Sequence, residues 1–283
     1  MRAIIENGMK KTYNGPIKAV IFDMSGTIID PFCISSALSF VSAFRQNGFN
    51  ISIREARDPM GLRKDLHIKE ILNDFSVRKR WIEEMRRDPT EDDIKNIHTS
   101  FEKTQFKILP SYANIIDGVE ETVDILKTNY KIKIGITTDL DRKMVDIVLD
   151  KNPKFITKCI VSGDELRENI GYRPKPYMLW KNLFNMGINP IQSVVKVDDT
   201  VVGIEEGINA GCWTIGVSDW GNYMNINSIG EYEKLNYYQL EEKRKISKKR
   251  LLDGGAHYVV DNVKNIPEVI LDINNKLEAD IHP

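Results

Sequence analysis

Cysteine is scarce in this chain of 283 residues: there are three, Cys33, Cys159 and Cys212. Three cannot all pair and none forms a C-x-x-C, so neither a disulfide framework nor a structural zinc site is expected. A reduced, cytoplasmic setting follows as the expectation. Charge of one sign is missing too. The 40 Lys and Arg against 41 Asp and Glu leave a formal net charge of −1, which offers no basic field to nucleic acid or to an anionic membrane. No apolar run reaches the roughly 20 residues of a membrane span. The opening residues Met1–Gly8 lack the apolar stretch of a secretory signal. Internal repeats and low-complexity tracts are absent. What remains is a chain long enough to bury a large core, as one domain with an insert or as two domains.

Against that background one stretch organises the rest: Lys18-Ala-Val-Ile-Phe-Asp-Met-Ser-Gly-Thr-Ile-Ile-Asp30. Ala19–Phe22 is short, apolar and partly β-branched, as a buried strand is. It stops at Asp23, and Gly26 turns the chain. In an open α/β sheet the carboxyl end of a strand is where ligands bind. A lone aspartate there reads first as a helix cap; only the features downstream turn the reading to function.

Residues 1–16 read as a polar lead-in with no assigned chemistry. From 32 to 112 only helical apolar spacing occurs, over Ser35–Gly48, Ile53–Arg57, Lys64–Asn73, Val77–Arg87 and Asp92–Phe106. Beyond it strand and helix alternate. The strands are Lys131–Thr138, Ile156–Ser162, Ser193–Asp199, Cys212–Val217 and His257–Val260. The helices are Val119–Asn129, Arg142–Asp150, Pro176–Gly187, Glu205–Ala210, the Lys- and Glu-rich Glu231–Arg250, and Ile266–Leu277. Such alternation predicts an α/β fold, a doubly wound parallel-sheet (Rossmann-like) core. The core is expected from residues 17–31 and 113–283, with an all-helical insert, 32–112, after the first strand.

Three further strand ends are polar. Ile132–Thr138 runs into hydroxyls and Asp139; Arg173-Pro-Lys-Pro176 precedes a helix; Val194–Val197 ends in Asp198-Asp199-Thr200. Each alone reads as local capping. Together they supply a carboxylate nucleophile, a hydroxyl and a cation for phosphoryl oxygens, and acids for a divalent metal.

In that order, Asp23-x-Ser-Gly-Thr, Thr138, Arg173-Pro-Lys-Pro and Asp198-Asp-Thr-x-x-Gly-Ile resemble the four motifs of the haloacid dehalogenase superfamily. The helical insert is similar to its type 1 cap. Glu55-Ala-Arg-Asp-Pro-Met-Gly-Leu-Arg-Lys64-Asp-Leu-His67 resembles the cap segment of the phosphonoacetaldehyde hydrolase family. So do Asn209–Val217 and Gly254–Tyr258, and the likeness runs from about Lys18 to about Leu277.

The resemblance implies Mg²⁺-dependent cleavage of the P–C bond of phosphonoacetaldehyde to acetaldehyde and phosphate, by a cytoplasmic homodimer serving phosphonate catabolism. It implies Asp23 as nucleophile, Lys64 as the imine-forming amine, His67 as proton shuttle, and Thr138 and Arg173 as phosphoryl holders. Met60, Gly61 and Thr27 would bind substrate. Asp23, the Ser25 carbonyl, Asp199 and Asp198 would hold the metal. The residues agree with that chemistry. Phosphate-ester relatives place a second acid two residues after the nucleophile to protonate an alkoxide; here Ser25 stands there. A P–C bond instead needs an amine to make an electron-accepting imine, and Lys64 is present.

Taken singly, Lys64 reads as a solvated lysine beside Asp65, His67 as a packing histidine, Met60 as core, and Cys33 as a small buried hydrophobe. A phosphatase or phosphomutase of the same superfamily acting on a small phosphate ester is the alternative, with Lys64 a phosphate clamp. A catalytically silent binding protein is the third reading. Four positions depart from the family pattern: Met24 in place of Trp, Asp139-Leu140 in place of Gly-Tyr, and Gly203 in place of a second acid, for which Asp198 is expected to compensate.

Overall fold

Six short parallel strands carry the architecture. The computed structural model describes residues 13–166 and 171–283; the lead-in 1–16 therefore lies mostly outside the described residues. The strands are β1 (Ala19–Phe22), β2 (Lys133–Thr137), β3 (Ile160–Val161), β4 (Val194–Asp198), β5 (Trp213–Val217) and β6 (Tyr258–Val260). They lie in the order β3-β2-β1-β4-β5-β6, every pair parallel. The chain steps outward from β1 to β3, then crosses back to lay β4 on the other side of β1. That reversal puts the switch point between β1 and β4, where open sheets of this kind bind ligands. β1, β4 and β5 are buried along their whole length, the near-continuous apolar pattern of strands covered on both faces.

Among the described residues, five helices occupy the insert that follows β1: α1 (Ile34–Gln46), α2 (Ile53–Arg57), α3 (Lys64–Asn73), α4 (Phe75–Met85) and α5 (Glu91–Ile108). Their starts are written locally. Ser52 with Glu55, and Thr90 with Asp93, form capping boxes, and Asp74 caps α4. α1 packs along α5, with the Phe40 and Phe101 rings stacked at 4.3 Å between centroids. Their aromatics belong to the same apolar cluster as Val20, Phe22 and Val197 of the sheet.

The remaining helices are α6 (Val119–Thr128), α7 (Arg142–Lys151), α8 (Tyr177–Met186), α9 (Val201–Ala210), α10 (Ile229–Tyr232), α11 (Tyr237–Asp253) and α12 (Ile266–Glu278). Three differ from the sequence expectation. The strand expected over Ile156–Ser162 shrinks to two residues, because Thr157 donates to the Ile134 carbonyl and accepts the Cys159 amide in place of ladder bonds. The charge-rich run is two helices, since Asn236 and Gln239 form a capping box that restarts it. α9 begins four residues early, because Thr200 caps it on the Gly203 amide. None of the helices among the described residues is long and apolar enough to cross a membrane.

Candidate active site

β1 hands the chain directly to the site. The Asp23 amide still pairs with Val197 of β4, and the Ile28 and Ile29 amides both return to the Met24 carbonyl, closing a tight loop. Gly26 sits at its apex with φ +79°, where a Cβ would come within 2.4 Å of Asp199 Oδ2. Only glycine combines that backbone with that approach. Met24 faces the main apolar cluster, as does Leu140. Two of the departures from the family pattern are therefore core residues, remote in role from any pocket.

β4 brings in the next groups. Asp198 Oδ1 accepts the Thr200 amide and hydroxyl, and Oδ2 lies 3.1 Å from Lys196 Nζ. Asp199 turns elsewhere: Oδ1 accepts Thr27 Oγ1 at 3.2 Å, and Oδ2 accepts the Asn222 amide at 2.7 Å and Cys33 Sγ at 3.5 Å. The Thr27 hydroxyl, expected at the substrate, is thus spent on orienting Asp199. A Cβ on Gly203 would fall 1.8 Å from Asp198 Oδ2. The Asp198 carboxylate occupies the room that a side chain at 203 would need.

Arg173 is buried and fully engaged. It donates to Asp23 Oδ1 at 2.7 Å, to Glu206 Oε2 at 2.8 Å, and to the carbonyl and hydroxyl of Thr137. Lys196 reaches the same Thr137 hydroxyl at 2.8 Å and Glu206 at 3.2 Å. Thr138, one residue past β2, uses its hydroxyl to accept the Leu140 amide. The hydroxyl woven into the charged network is that of Thr137. Sequence reasoning passed over Thr137, Lys196 and Glu206; a lysine inside the apolar run Val194–Val197 was the signal.

The helices between β1 and β2 contribute the other wall. Lys64 begins α3, is buried, and pairs with Asp139 Oδ2 at 2.7 Å. His67, one turn on, is wholly buried, stacked on Phe40 at 3.9 Å, with Nε2 on the Ala56 carbonyl at 2.8 Å and Nδ1 without a partner among the described residues. Burial, then the neighbouring Lys64 charge, pushes its pKa down to about 3. Met60 and Gly61 border, with Asp23, Ser25, Cys33, Ser36, Asp139 and Thr200, a cavity of about 10 Å³, room for roughly one water. The structure thus gathers Asp23, Ser25, Met60 and Gly61 around one space, with Lys64 joined to it through Asp139.

Electrostatically the cluster is short of cations. Asp23, Asp139, Asp198, Asp199 and Glu206 face Lys64, Arg173 and Lys196, all buried. Burial and then the Asp198 charge push the Asp23 carboxyl up to about 7, against the pull of Arg173. Burial, followed by Asp198 and Asp23, raises Asp199 well above the ordinary range. Burial also opposes ionisation of Asp198, but Lys196 and Arg173 outweigh it and hold that carboxyl low. Asp23, Asp198 and Asp199 bring one oxygen each within 4.8 Å of one another. The donors are all oxygen and the excess charge is negative, so the set fits a hard divalent cation.

Residues 20–217 match the haloacid dehalogenase-like hydrolase family. A phosphonoacetaldehyde hydrolase of Bacillus cytotoxicus is 36% identical, over 90% of this chain and 95% of that protein. A bifunctional phosphonoacetaldehyde hydrolase/aminoethylphosphonate transaminase of Clostridioides difficile is 33% identical over 97% of this chain, which spans 43% of that longer protein. A solved phosphonoacetaldehyde hydrolase-like protein of Oleispira antarctica superposes with a TM-score of 0.91 at 31% identity, covering 98% of this chain and all of that one. With Asp23 at the sheet's switch point and relatives this similar along nearly all of this chain, the chain belongs to the haloacid dehalogenase-like hydrolases, in the family of the phosphonoacetaldehyde hydrolases.

Proposed function

We propose that this chain hydrolyses the P–C bond of phosphonoacetaldehyde to acetaldehyde and phosphate. In this reading residues 32–112 act as a cap over a core of 17–31 and 113–283. The observation that carries it is the buried Lys64 amine, paired with Asp139 at 2.7 Å beside a cavity that Asp23 and Ser25 also line. A lysine so placed suits imine formation, and a serine at position 25 supplies no acid for an ester's leaving group.

Lys64 condenses with the aldehyde and releases water. Asp23 then attacks phosphorus, the P–C electrons leave into the protonated imine as an enamine, and the phosphoryl group passes to Asp23. Arg173 moves its grip from Asp23 to the phosphoryl oxygens, and Thr138 assists from the end of β2. His67, with Nδ1 free among the described residues, relays the proton that the enamine carbon takes up, and water then hydrolyses the protonated imine to acetaldehyde and the Lys64 ammonium. Met60 and Gly61 border the two-carbon unit, and Thr27 serves by fixing Asp199. Asp23, the Ser25 carbonyl, Asp199 and Asp198 would hold Mg²⁺. Bound there, Mg²⁺ would neutralise the carboxylate excess and the phosphoryl charge. Water then hydrolyses the aspartyl phosphate.

The test is borohydride trapping. With acetaldehyde and borohydride, mass spectrometry should find a two-carbon adduct on Lys64 and irreversible inactivation. Lys64→Arg keeps the charge but forms no imine, so P–C cleavage should vanish even at saturating substrate. A Lys64→Arg enzyme still releasing phosphate from phosphonoacetaldehyde, or a wild type preferring small phosphate esters, would overturn the reading.

A further inference from the structure

For Lys64 to attack an aldehyde its ammonium must first lose a proton, and the surroundings of Nζ leave one direct acceptor. Its hydrogen-bond partner among the described residues is Asp139 Oδ2, at 2.7 Å. On other sides stand the rings of Phe101 and Phe40, their centroids 5.6 and 5.8 Å away. His67 is the obvious alternative, one turn along α3. Its Nε2 is committed to the Ala56 carbonyl, however, and neither ring nitrogen bonds Lys64.

Asp139 is held for this contact. It lies between β2 and α7, where the Gly163 amide bonds Leu140 next door and a Cβ on Gly163 would strike the Asp139 carbonyl at 2.9 Å. Its side chain borders two spaces. One is the small cavity shared with Asp23 and Ser25. The other is an open cleft of about 630 Å³ between α3, α5 and α7, which Lys64 also lines. A carboxylate at that junction meets both the amine and an incoming carbonyl oxygen. Only Oδ2 is bonded to Lys64, which leaves Oδ1 for the oxygen of the substrate.

We infer that Asp139 is a catalytic residue, the proton carrier for imine formation on Lys64. The inference rests on the imine reading above and assigns a step to it. Asp139 takes one proton from the Lys64 ammonium, and the freed amine adds to the aldehyde carbon. The nitrogen passes a proton to the new alkoxide, giving the neutral carbinolamine. Asp139 then returns its proton to the carbinolamine hydroxyl, which leaves as water. The C–O bond breaks as the C=N bond forms, and the products are the protonated imine and the original carboxylate. One positive charge enters and one remains, so no further reactant is needed. The arrangement divides the proton work: Asp139 serves condensation, and His67 serves the carbon end.

The experiment is the rate of borohydride-trapped adduct on Lys64, with acetaldehyde, in wild type and variants. This readout involves neither the P–C bond nor the metal. Asp139→Asn keeps shape and one hydrogen bond; losing the charge opposite buried Lys64 lowers the melt, but the variant should stay folded at the assay temperature while trapping slows by about 100-fold, in the range of general acid–base effects. Asp139→Gly opens a space, and added formate should restore trapping at least tenfold in a saturable manner, which a mere latch between the helices and the sheet would not do. Wild-type trapping rates in Asp139→Asn overturn the inference and leave the imine reading standing. Slow trapping in Asp139→Gly without formate rescue also overturns it, in favour of a positioning ion pair. No adduct on Lys64 in wild type overturns the imine reading, and the inference with it.

Discussion

His67 has little freedom. Ring stacking on Phe40, a hydrogen bond from Nε2 to Ala56 and full burial keep it neutral. The consequence is a measurable pH signature. Its pKa falls from about 6.5 in the unfolded chain to about 3 in the fold. Below pH 6.5 the unfolded state therefore takes up a proton that the native state refuses until about pH 3. Stability that His67 contributes is present above 6.5 and is lost as pH falls through that window. Asp23 and Asp30, with carboxyls raised to about 7 and about 6 chiefly by burial, act in the opposite sense, so the wild-type curve alone is ambiguous. His67→Gln separates them, since its amide can still reach the Ala56 carbonyl. Between pH 7.5 and pH 5 the wild type should lose about 2 kcal/mol relative to this variant, read from urea unfolding. Parallel curves would show that His67 is protonated in the native state.

β4 shows how far an element can be read from its sequence. Alternation along a strand puts Lys196 and Asp198 on one face, and they meet at 3.1 Å, with Glu206 of α9 and Arg173 beyond. Asp199, just past the strand, falls toward the Gly26 loop instead. The two adjacent acids thus separate into an ion-pair partner and a group held by Thr27 and Asn222. Asp199→Ala should raise the Mg²⁺ concentration for half-activity at least tenfold with a modest change in melting. Asp198→Ala should instead lower stability by about 3–5 kcal/mol, the usual result of breaking a buried pair, because Lys196 loses a counter-ion. The reverse assignment of the two phenotypes would refute this division. Strand ends and motif order were legible here because each is local: Asp23 after Ala19–Phe22, and the start of α3 at Lys64 after a glycine break. Long-range pairings were not. Lys64 and Asp139 are 75 residues apart, and Glu206 meets Arg173 across 33. Nothing in local periodicity registers such contacts. The two-residue β3 and the restart at Asn236 escaped for the converse reason, that side-chain bonds override the apolar pattern.

At the scale of the molecule, helices α1–α5 are drawn tightly onto the sheet's switch point. Arg57 of α2 donates to the Phe32 and Ile226 carbonyls and to the Asn222 and Asn227 side chains. Arg63 stacks over Tyr172 at 3.8 Å, and Lys64 pairs with Asp139. The space left beside Asp23, about 10 Å³, is too small for a phosphonate of several heavy atoms, so the proposed reaction calls for these helices to lift and then return. Gly61 marks one place of close approach. It holds φ +98°, and a Cβ there would lie 2.6 Å from Thr200 Oγ1 and 3.2 Å from Val202. Alanine at this site meets two penalties, a left-handed backbone and a contact with the cap of α9. Both act on the closed arrangement, while the sheet and its core are untouched. Gly61→Ala should therefore lower kcat/KM for phosphonoacetaldehyde by 10- to 100-fold, through misplacement of Lys64 by a fraction of an ångström. Its melting temperature should stay within a few degrees of wild type. Borohydride trapping on Lys64 by acetaldehyde, small enough to enter an imperfectly closed site, should slow much less than P–C cleavage. A variant with wild-type kcat/KM would show that turnover does not need the Gly61–Thr200 contact, and closure would have to be sought at Arg57 and Arg63 instead.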